Sequence, residues 1–451
     1  MQGMKMIEAS VARMMMAAAL GAATCVAGAA EAPESARQVL LDHNQEFTQR
    51  VETPGRGVFV AVGYSASNVT LIQGEDGSII VDTGANPADA RAIVEAFGTH
   101  LKRPVRAIIY THGHPDHTGG AKVFAGDDRP DVYGHALMVS SPPSPGRGMR
   151  DGGDAFGIRL PDSQFINAGT QLEFGRSTPP TREGYLPPTR QITAARQTLN
   201  IAGVQLQALH TPGEAEENIS LWLPSQRTLI AGDIILKTFP NIAPLRGLPA
   251  RPTEPWIASL DTLLALAPEH MVPGHMGSIS GADNVNDALT AYRDGIRHVQ
   301  DATIAGMVAG ATPDELVQRV RLPPALAAHP YLQELYGTVA WAVRGIYVQH
   351  AGWFDGTPVN IDPLPPEQRA ARMAALAGGT PQLLQLAQAA ADAADHQWAL
   401  ELVDSVLALE PGAPQALALK VSVLRALGER QTNATARNYY LTVAQTLQEK
   451  L

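Results

Sequence analysis

Three histidines and an aspartate lie within six residues of one another in the segment AIIYTHGHPDHTGG, residues 107–120. His112, His114, Asp116 and His117 form the pattern H-x-H-x-D-H directly after an apolar run. Folding alone gives no reason to pack ionisable groups so closely in a loop. Imidazole and carboxylate groups are ligands of zinc, with manganese and iron as second choices. The pattern therefore predicts a metal site.

The spacing of the same residues favours two metal ions over one. On a loop that follows a strand, alternate residues can point to one side, so His112 and His114 can bind one ion. Asp116 and His117 can then bind a second ion close by. Two zinc ions would lower the pKa of a bound water towards neutrality and hold it as hydroxide. Such a nucleophile would make a serine or cysteine nucleophile unnecessary.

The elements that must position these residues have the pattern of paired strands between about residue 58 and residue 279. An Asp-Gly turn separates two apolar runs in VTLIQGEDGSIIVDTG, which predicts a hairpin. The segments TLNIAGVQLQALHTPGE and NISLWLPSQRTLIAGD repeat this arrangement, and NPADARAIVEAFGTH has the spacing and cap of a helix. Several strands thus end in ionisable residues, which predicts a layered α/β architecture with the site along one edge.

Residues 140 to 190 are rich in Gly, Pro, Ser and Arg, as in SPPSPGRGMRDGG and GRSTPPTREGYLPPTR. Long loops inside a compact domain are often functional lids. A flexible surface insertion would have the same composition, so both interpretations stay open. We expect Tyr185 to line the pocket.

The remainder of the chain has helical spacing, with apolar residues three and four positions apart. Caps such as TPDE and breaks such as EPGAP separate the helices. We therefore predict a catalytic domain over residues 31–284 and a helical domain over residues 285–451.

Length and charge limit the function further. A chain of 451 residues is expected to hold roughly two or three domains. A net charge of −10 argues against nucleic-acid binding, which normally requires a basic face.

The N-terminus predicts export. Basic residues precede the small and apolar run MMMAAALGAATCVAGAA, which is typical of a secretory signal cleaved near residue 30. We thus expect residues 1–30 to be a signal peptide and the mature protein to be periplasmic or secreted, with no membrane span. The alternative is an alanine-rich first helix of the fold. Cleavage would remove Cys25, the single cysteine.

The segment THGHPDHTGG resembles the signature of the metallo-β-lactamase superfamily. The resemblance implies an αββα sandwich with a binuclear metal site whose other ligands follow later strands. It identifies Glu214 in HTPGE, Asp233 in LIAGD and His275 in MVPGH as the remaining ligands. Asp82, in IIVDTG, matches the aspartate that supports the histidine loop from behind.

Glu214 stands where the superfamily usually has histidine, and this departure resembles the alkylsulfatase branch. That branch binds sulfate through an asparagine and an arginine, which Asn241 and Arg246 match in NIAPLRG. The helical half, including GWFDG, resembles the alkylsulfatase dimerisation domain and implies a homodimer. Full-length relatives continue into a sterol-carrier-like third domain beyond the position of Leu451, so we expect a weaker dependence on alkyl chain length here.

We therefore predict a binuclear zinc hydrolase that releases inorganic sulfate from alkyl sulfate esters. The alternatives are another hydrolase of this fold (a β-lactamase, lactonase or phosphodiesterase) and a non-catalytic helical-repeat protein. Asp233 and the PGH context favour the former, because the alkylsulfatase branch usually has glutamate and HxWP there. The predicted ligands of the first ion are His112, His114 and Glu214, and those of the second are Asp116, His117, Asp233 and His275.

Overall fold

The computed structural model describes residues 33–140, 152–172, 176 and 181–451. The predicted signal peptide over residues 1–30, with Cys25, lies outside these described residues. Within the described ranges, no helix is both long enough and apolar enough to cross a membrane.

Two mixed β-sheets form the centre of the first half of the chain. The first sheet has seven strands in sequential order, antiparallel from β1 to β4 and parallel from β4 to β7. They are β1 (Arg50–Gly55), β2 (Val58–Val62), β3 (Val69–Gln73), β4 (Ser78–Val81), β5 (Val105–Ile109), β6 (Asp131–His135) and β7 (Arg190–Ile192). The predicted hairpin in VTLIQGEDGSIIVDTG is confirmed as β3 and β4.

The second sheet has six strands in the order β13-β12-β11-β10-β9-β8, all antiparallel except β11 with β12. They are β8 (Arg196–Ile201), β9 (Val204–His210), β10 (Ile219–Leu223), β11 (Thr228–Gly232), β12 (His270–Pro273) and β13 (Ile279–Ser280). The two later hairpins predicted from the sequence are therefore confirmed as β8–β9 and β10–β11.

Alternation along the strands divides the apolar residues between two sides of the first sheet. In β2, Val58, Val60 and Val62 face the core between the sheets. Phe59 and Ala61 face the opposite way, against helices on the outer surface. This separation follows from the two-residue period of a strand. Both faces of the sheet are buried, so the strand is apolar at every position.

Helices cover both outer faces, which confirms the predicted αββα sandwich. The described helices of this half are α1 (Pro33–His43), α2 (Pro87–Phe97), α3 (Pro115–Thr118), α4 (Ala121–Ala125), α5 (Ala136–Ser140), α6 (Gly152–Phe156) and α7 (Thr253–Leu264). Helices α2 and α4 cover the first sheet, and α7 covers the second. The predicted cap of α2 is present, because the Asn86 side chain accepts hydrogen bonds from the backbone N–H groups of Ala88 and Asp89.

The rest of the chain is helical, as predicted. Its helices are α8 (Ala282–Val308), α9 (Pro313–Arg319), α10 (Pro324–Ala327), α11 (Val339–Ala351), α12 (Pro366–Ala377), α13 (Thr380–Asp392), α14 (His396–Leu409), α15 (Pro414–Glu429) and α16 (Ala434–Gln448). The hydrophobic core continues across the predicted domain boundary between residues 284 and 285. Helices α8, α9 and α11 share this core with α7 and the second sheet. Helices α12 to α15 enclose a separate core.

We predict that Asn68 holds the two sheets together next to the site. Its side chain is buried and donates to the carbonyls of Pro273 and Met276, over 3.0 and 2.7 Å. Asn68→Ala leaves two buried carbonyls without this donor, so we expect a loss of about 1–3 kcal/mol in the free energy of unfolding. Urea denaturation measures it. Asn200→Ala, at an exposed position of β8, is the control, and equal losses in the two variants would refute the role.

Candidate metal centre

The strand ends and the loops after them carry the seven predicted ligands to one edge of the sandwich. His112 and His114 follow β5, and the short helix α3 carries Asp116 and His117. Glu214 lies between β9 and β10, Asp233 follows β11 and His275 follows β12. Because the parallel strands end on the same side, residues far apart in sequence meet there.

The potential ligand atoms form three overlapping groups. Within each group, one atom from each residue lies within 4.8 Å of the others. The groups are His112, His117 and Asp233; Asp116, His117 and His275; and His114, Glu214 and Asp233. All seven predicted ligands are thus brought together, and the three groups overlap because they share His117 and Asp233.

Asp233 lies between the two predicted halves of the site. Its Oδ2 is 3.5 Å from His112 Nε2, 3.4 Å from His117 Nε2 and 3.3 Å from His275 Nε2. It also shares a group with His114 and Glu214. The sequence assigned Asp233 to the second ion alone, whereas this placement brings its carboxylate within reach of both halves.

Hydrogen bonds from behind fix the orientation of two of the imidazole rings. Asp82 Oδ2 accepts from His117 Nδ1 and from Thr111 Oγ1, each over 2.8 Å, and Asp82 Oδ1 accepts from the Thr111 backbone N–H. His275 Nδ1 donates to the carbonyl of Ala66 over 2.7 Å. Both rings therefore direct Nε2 towards the centre of the site, as metal-binding histidines require. The position of Asp82 agrees with the supporting role inferred from the sequence.

Three buried polar atoms provide a test of whether a metal fits. His117 Nε2, Glu214 Oε2 and Asp233 Oδ1 have no hydrogen-bond partner among the described residues. Leaving a buried acceptor unpaired costs about 1–3 kcal/mol. These atoms belong to residues of the three overlapping groups, and one or two cations between them would satisfy all three. The donor set therefore fits a metal.

The electrostatics of the cluster also favour a cation. Burial, followed by the charge of His117, lowers the pKa of His112 to about 3. Burial opposes charge on His117 as well, yet the carboxylates of Asp233, Asp82 and Asp116 outweigh it and raise the pKa of this histidine. The carboxylates thus attract positive charge to the centre, and a metal ion can supply it in place of a proton.

Arg251 is a site residue that the sequence reasoning missed. Its guanidinium is 2.8 Å from Glu214 Oε1, and both side chains are buried. It also donates to the backbone carbonyl of Asn241. Burial raises the pKa of Glu214 and the charge of Arg251 opposes this effect. Glu214 Oε2 has no hydrogen-bond partner among the described residues. The sequence contains no signal that separates this arginine from one on the surface.

A cavity of about 250 Å³ opens next to the ligands. Its wall includes the apolar or aromatic side chains of Pro115, Phe156, Leu236, Leu248 and Tyr336. Thr170 and Gln171 also line it, so described residues of the 140–190 segment contribute to the cavity wall. Tyr185 does not line this cavity and instead stacks on Tyr110, with 5.9 Å between ring centroids.

The two predicted sulfate ligands take different positions. Arg246 lines the metal cavity, donates to the Tyr336 hydroxyl over 2.8 Å and lies 5.3 Å from the centroid of the Phe156 ring. The Asn241 side chain is buried and lines a small adjoining cavity that it shares with Arg246 and Tyr336. Asn241 Oδ1 has no hydrogen-bond partner among the described residues.

Comparison with known proteins agrees with this geometry. Residues 62–275 match the family model of the metallo-beta-lactamase superfamily, and residues 312–450 match the model named alkyl sulfatase dimerisation. A linear primary-alkylsulfatase of a Pseudomonas species is 37% identical over 398 residues, which cover 84% of this chain and 74% of that protein. An (R)-specific secondary-alkylsulfatase, also from Pseudomonas, is 28% identical over 403 residues, which cover 85% of this chain and 60% of that protein.

The fold has a close structural counterpart as well. The inverting secondary alkylsulfatase Pisa1 from a Pseudomonas species superposes with a TM-score of 0.81 at 24% identity, covering 89% of this chain and 66% of that one. Both halves of the chain, the sandwich and the helical domain, are included in the sequence match to the primary alkylsulfatase. The chain therefore belongs to the alkylsulfatase family of the metallo-β-lactamase superfamily.

Proposed function

We propose that the protein hydrolyses alkyl sulfate esters to an alcohol and inorganic sulfate. The observation that carries this proposal is a cavity in which an arginine lies beside the metal ligands Asp116, Glu214, Asp233 and His275. A sulfate monoester needs both features: an activated water for hydrolysis and a cation that holds its negative charge.

Arg246 is suited to bind the sulfate group because its charge is available. No carboxylate among the described residues forms an ion pair with it, and its hydrogen-bond partner is the neutral Tyr336 hydroxyl. Arg251, by contrast, is paired with Glu214. A guanidinium presents several N–H donors in one plane and stays charged at any relevant pH, so it matches the oxygens of a sulfate. Asn241, next to it, is the proposed second sulfate ligand.

The ligand set is proposed to hold two zinc ions. His112, His114 and Glu214 would hold the first, and Asp116, His117 and His275 the second, with Asp233 between them. Zinc, when bound, lowers the pKa of water and acts as a Lewis acid. Asp82 and the Ala66 carbonyl accept hydrogen bonds at Nδ1 of His117 and His275, which orients both rings with Nε2 towards the proposed metal positions.

The apolar part of the cavity wall is suited to an alkyl group. Phe156, Leu236 and Leu248 are close enough to the ligands to line the same cavity. Each methylene buried there contributes about 0.8 kcal/mol to binding. A chromogenic cephalosporin and a phosphodiester, assayed beside a medium-chain alkyl sulfate, test the substrate class. We expect inorganic sulfate from the alkyl sulfate to be the dominant product, and preferential turnover of either other substrate would refute the proposal.

We also propose that the helical domain forms a homodimer through its exposed apolar residues. Trp353, Val359 and Ile361 are 76%, 72% and 64% exposed. They lie close together in sequence, within the residues that match the dimerisation model. Large apolar side chains exposed in this way are typical of an interface between chains.

Arg246→Ala is predicted to impair sulfate ester hydrolysis selectively. Removing the cation that faces a partly desolvated anion should cost about 2–5 kcal/mol of transition-state stabilisation. Arg246→Lys should recover part of the loss, because lysine keeps the charge but not the planar set of donors. Steady-state kinetics on an alkyl sulfate and on a neutral ester measure the difference. Arg190→Ala, at an exposed position, is the control. Equal losses on both esters would show that Arg246 is only structural.

His114→Ala is predicted to lower the metal content from about two ions per chain and to abolish activity. Each ion has few protein ligands, so the loss of one weakens binding strongly. Elemental analysis of the purified protein gives the content and identity of the metal. His298→Ala is the control, because that side chain lies outside the predicted ligand set and contacts the Arg321 carbonyl over 2.9 Å. Trace metal in the unaltered protein would exclude the proposed centre.

Ile361→Lys combined with Trp353→Lys is predicted to convert the dimer into a monomer at micromolar concentration. Two charges placed in an apolar interface remain desolvated on association, which opposes dimerisation. Light scattering measures the mass. Val308→Lys is the control, since Val308 is 85% exposed and precedes the segment that matches the dimerisation model. A dimer that survives the double substitution would place the interface elsewhere.

We further propose export with cleavage near residue 30, as the signal pattern predicts. The intact mass of protein recovered from a bacterial periplasmic fraction should correspond to a chain that begins near residue 30. Recovery of the full-length chain from the cytoplasm alone would contradict this proposal.

A further inference from the structure

The last helix of the described chain, α16, contacts the segment of residues 152–172, which contributes to the wall of the metal cavity. Asn438, in the second turn of α16, is 1% exposed. Its side-chain amide donates to the carbonyl of Asn167 over 2.9 Å and approaches that of Ala155 at 3.5 Å. Gly157 lies against the same amide: a Cβ there would be 3.1 Å from Asn438 Cγ. One side chain of the helical domain thus contacts both ends of the segment.

The two carbonyls adjoin residues of the cavity wall. Ala155 precedes Phe156, and Asn167 is three residues before Thr170 and four before Gln171. Phe156, Thr170 and Gln171 all line the cavity with the metal ligands. A buried hydrogen bond from the helical domain is therefore one of the contacts that attach this wall.

A second connection from α16 leads through Tyr336 to Arg246. Asn433, the N-cap of α16, donates to the backbone carbonyl of Tyr336 over 2.9 Å. The Tyr336 hydroxyl accepts from Arg246, and the Phe156 ring lies 5.3 Å from the Arg246 guanidinium. The two paths from α16, through Phe156 and through Tyr336, meet at Arg246.

We propose that Asn438 is a positioning residue for the anion-binding side of the cavity. By holding residues 155 and 167 together, it keeps Phe156 against Arg246 and so fixes the direction of the guanidinium. The helical domain then contributes to sulfate binding as well as to association of chains. This inference rests on the proposed function only in that Arg246 binds the sulfate group.

The test uses Asn438→Ala in the full-length, metal-loaded enzyme. A misplaced Arg246 weakens binding of the substrate and of the product alike. We expect the KM for an alkyl sulfate and the Kd for inorganic sulfate each to rise roughly tenfold, the effect of one lost buried hydrogen bond, while kcat changes less than twofold. Metal content should not change. Hydrogen exchange of the amides of residues 153–171 should become faster.

Val403→Ala is the matched control, because Val403 is fully buried in the separate core of α12 to α15. It should lower the thermal stability without changing KM or the exchange of residues 153–171. Asn438→Ser, which keeps a shorter donor, replaces Asn438→Ala if that variant does not fold, and should show the same changes to a smaller degree.

An unchanged KM and unchanged sulfate affinity in the Asn438 variants would overturn the inference, as would a similar rise in KM in Val403→Ala. Failure of the proposed function is a separate outcome, since the unaltered enzyme would then release no sulfate from any alkyl sulfate. In that case, calorimetric binding of inorganic sulfate and hydrogen exchange still decide the role of Asn438. If the unaltered protein does not bind sulfate, the inference about Asn438 is overturned.

Discussion

Seven ionisable side chains can share one largely buried edge of a protein only if their charges compensate one another. A buried charge without a partner costs several kcal/mol, far more than a local fold gains from it. Here Asp82 supports His117, and Arg251 neutralises Glu214. Atoms of His117, Glu214 and Asp233 nevertheless stay unpaired among the described residues. A metal cation is a partner that fits these atoms. The strand ends that carry the three residues therefore have to meet at one place.

The two arginines of the loop after β11 show how burial assigns different roles to the same residue type. Arg251 has its charge committed to Glu214 and a further N–H to the carbonyl of Asn241. Arg246 contacts a hydroxyl and an aromatic ring, which orient a guanidinium without cancelling its charge. Among the described residues that line the cavity, Arg246 is therefore the cation available to an entering anion. The paired arginine in turn holds the Glu214 carboxylate in place beside the other candidate metal ligands.

The clustering of the candidate metal ligands could be predicted because His112, His114, Asp116 and His117 form one short motif after a strand. The resemblance to the metallo-β-lactamase superfamily indicated Glu214, Asp233 and His275, and the hairpins around them follow from local turn chemistry. Phe156 and Tyr336 could not be predicted, since periodicity shows only that such residues are buried. What they contact depends on packing between segments about 180 residues apart. The prediction that Tyr185 lines the cavity was wrong for the same reason, because its ring stacks on Tyr110.

The cavity has two sides of different origin, and this division bears on substrate choice. The sandwich supplies the metal ligands, which many hydrolases of one fold can share, so the fold by itself does not determine the substrate. The opposite side contains Arg246 from the loop after β11, Phe156 from the segment between β6 and β7, and Tyr336 from the helical half. The groups suited to recognise an anionic ester are thus supported by a domain that the catalytic fold does not require. Because Asn433 and Asn438 connect this side to α16, a change in the packing of the helical domain would alter substrate binding before it altered the metal centre.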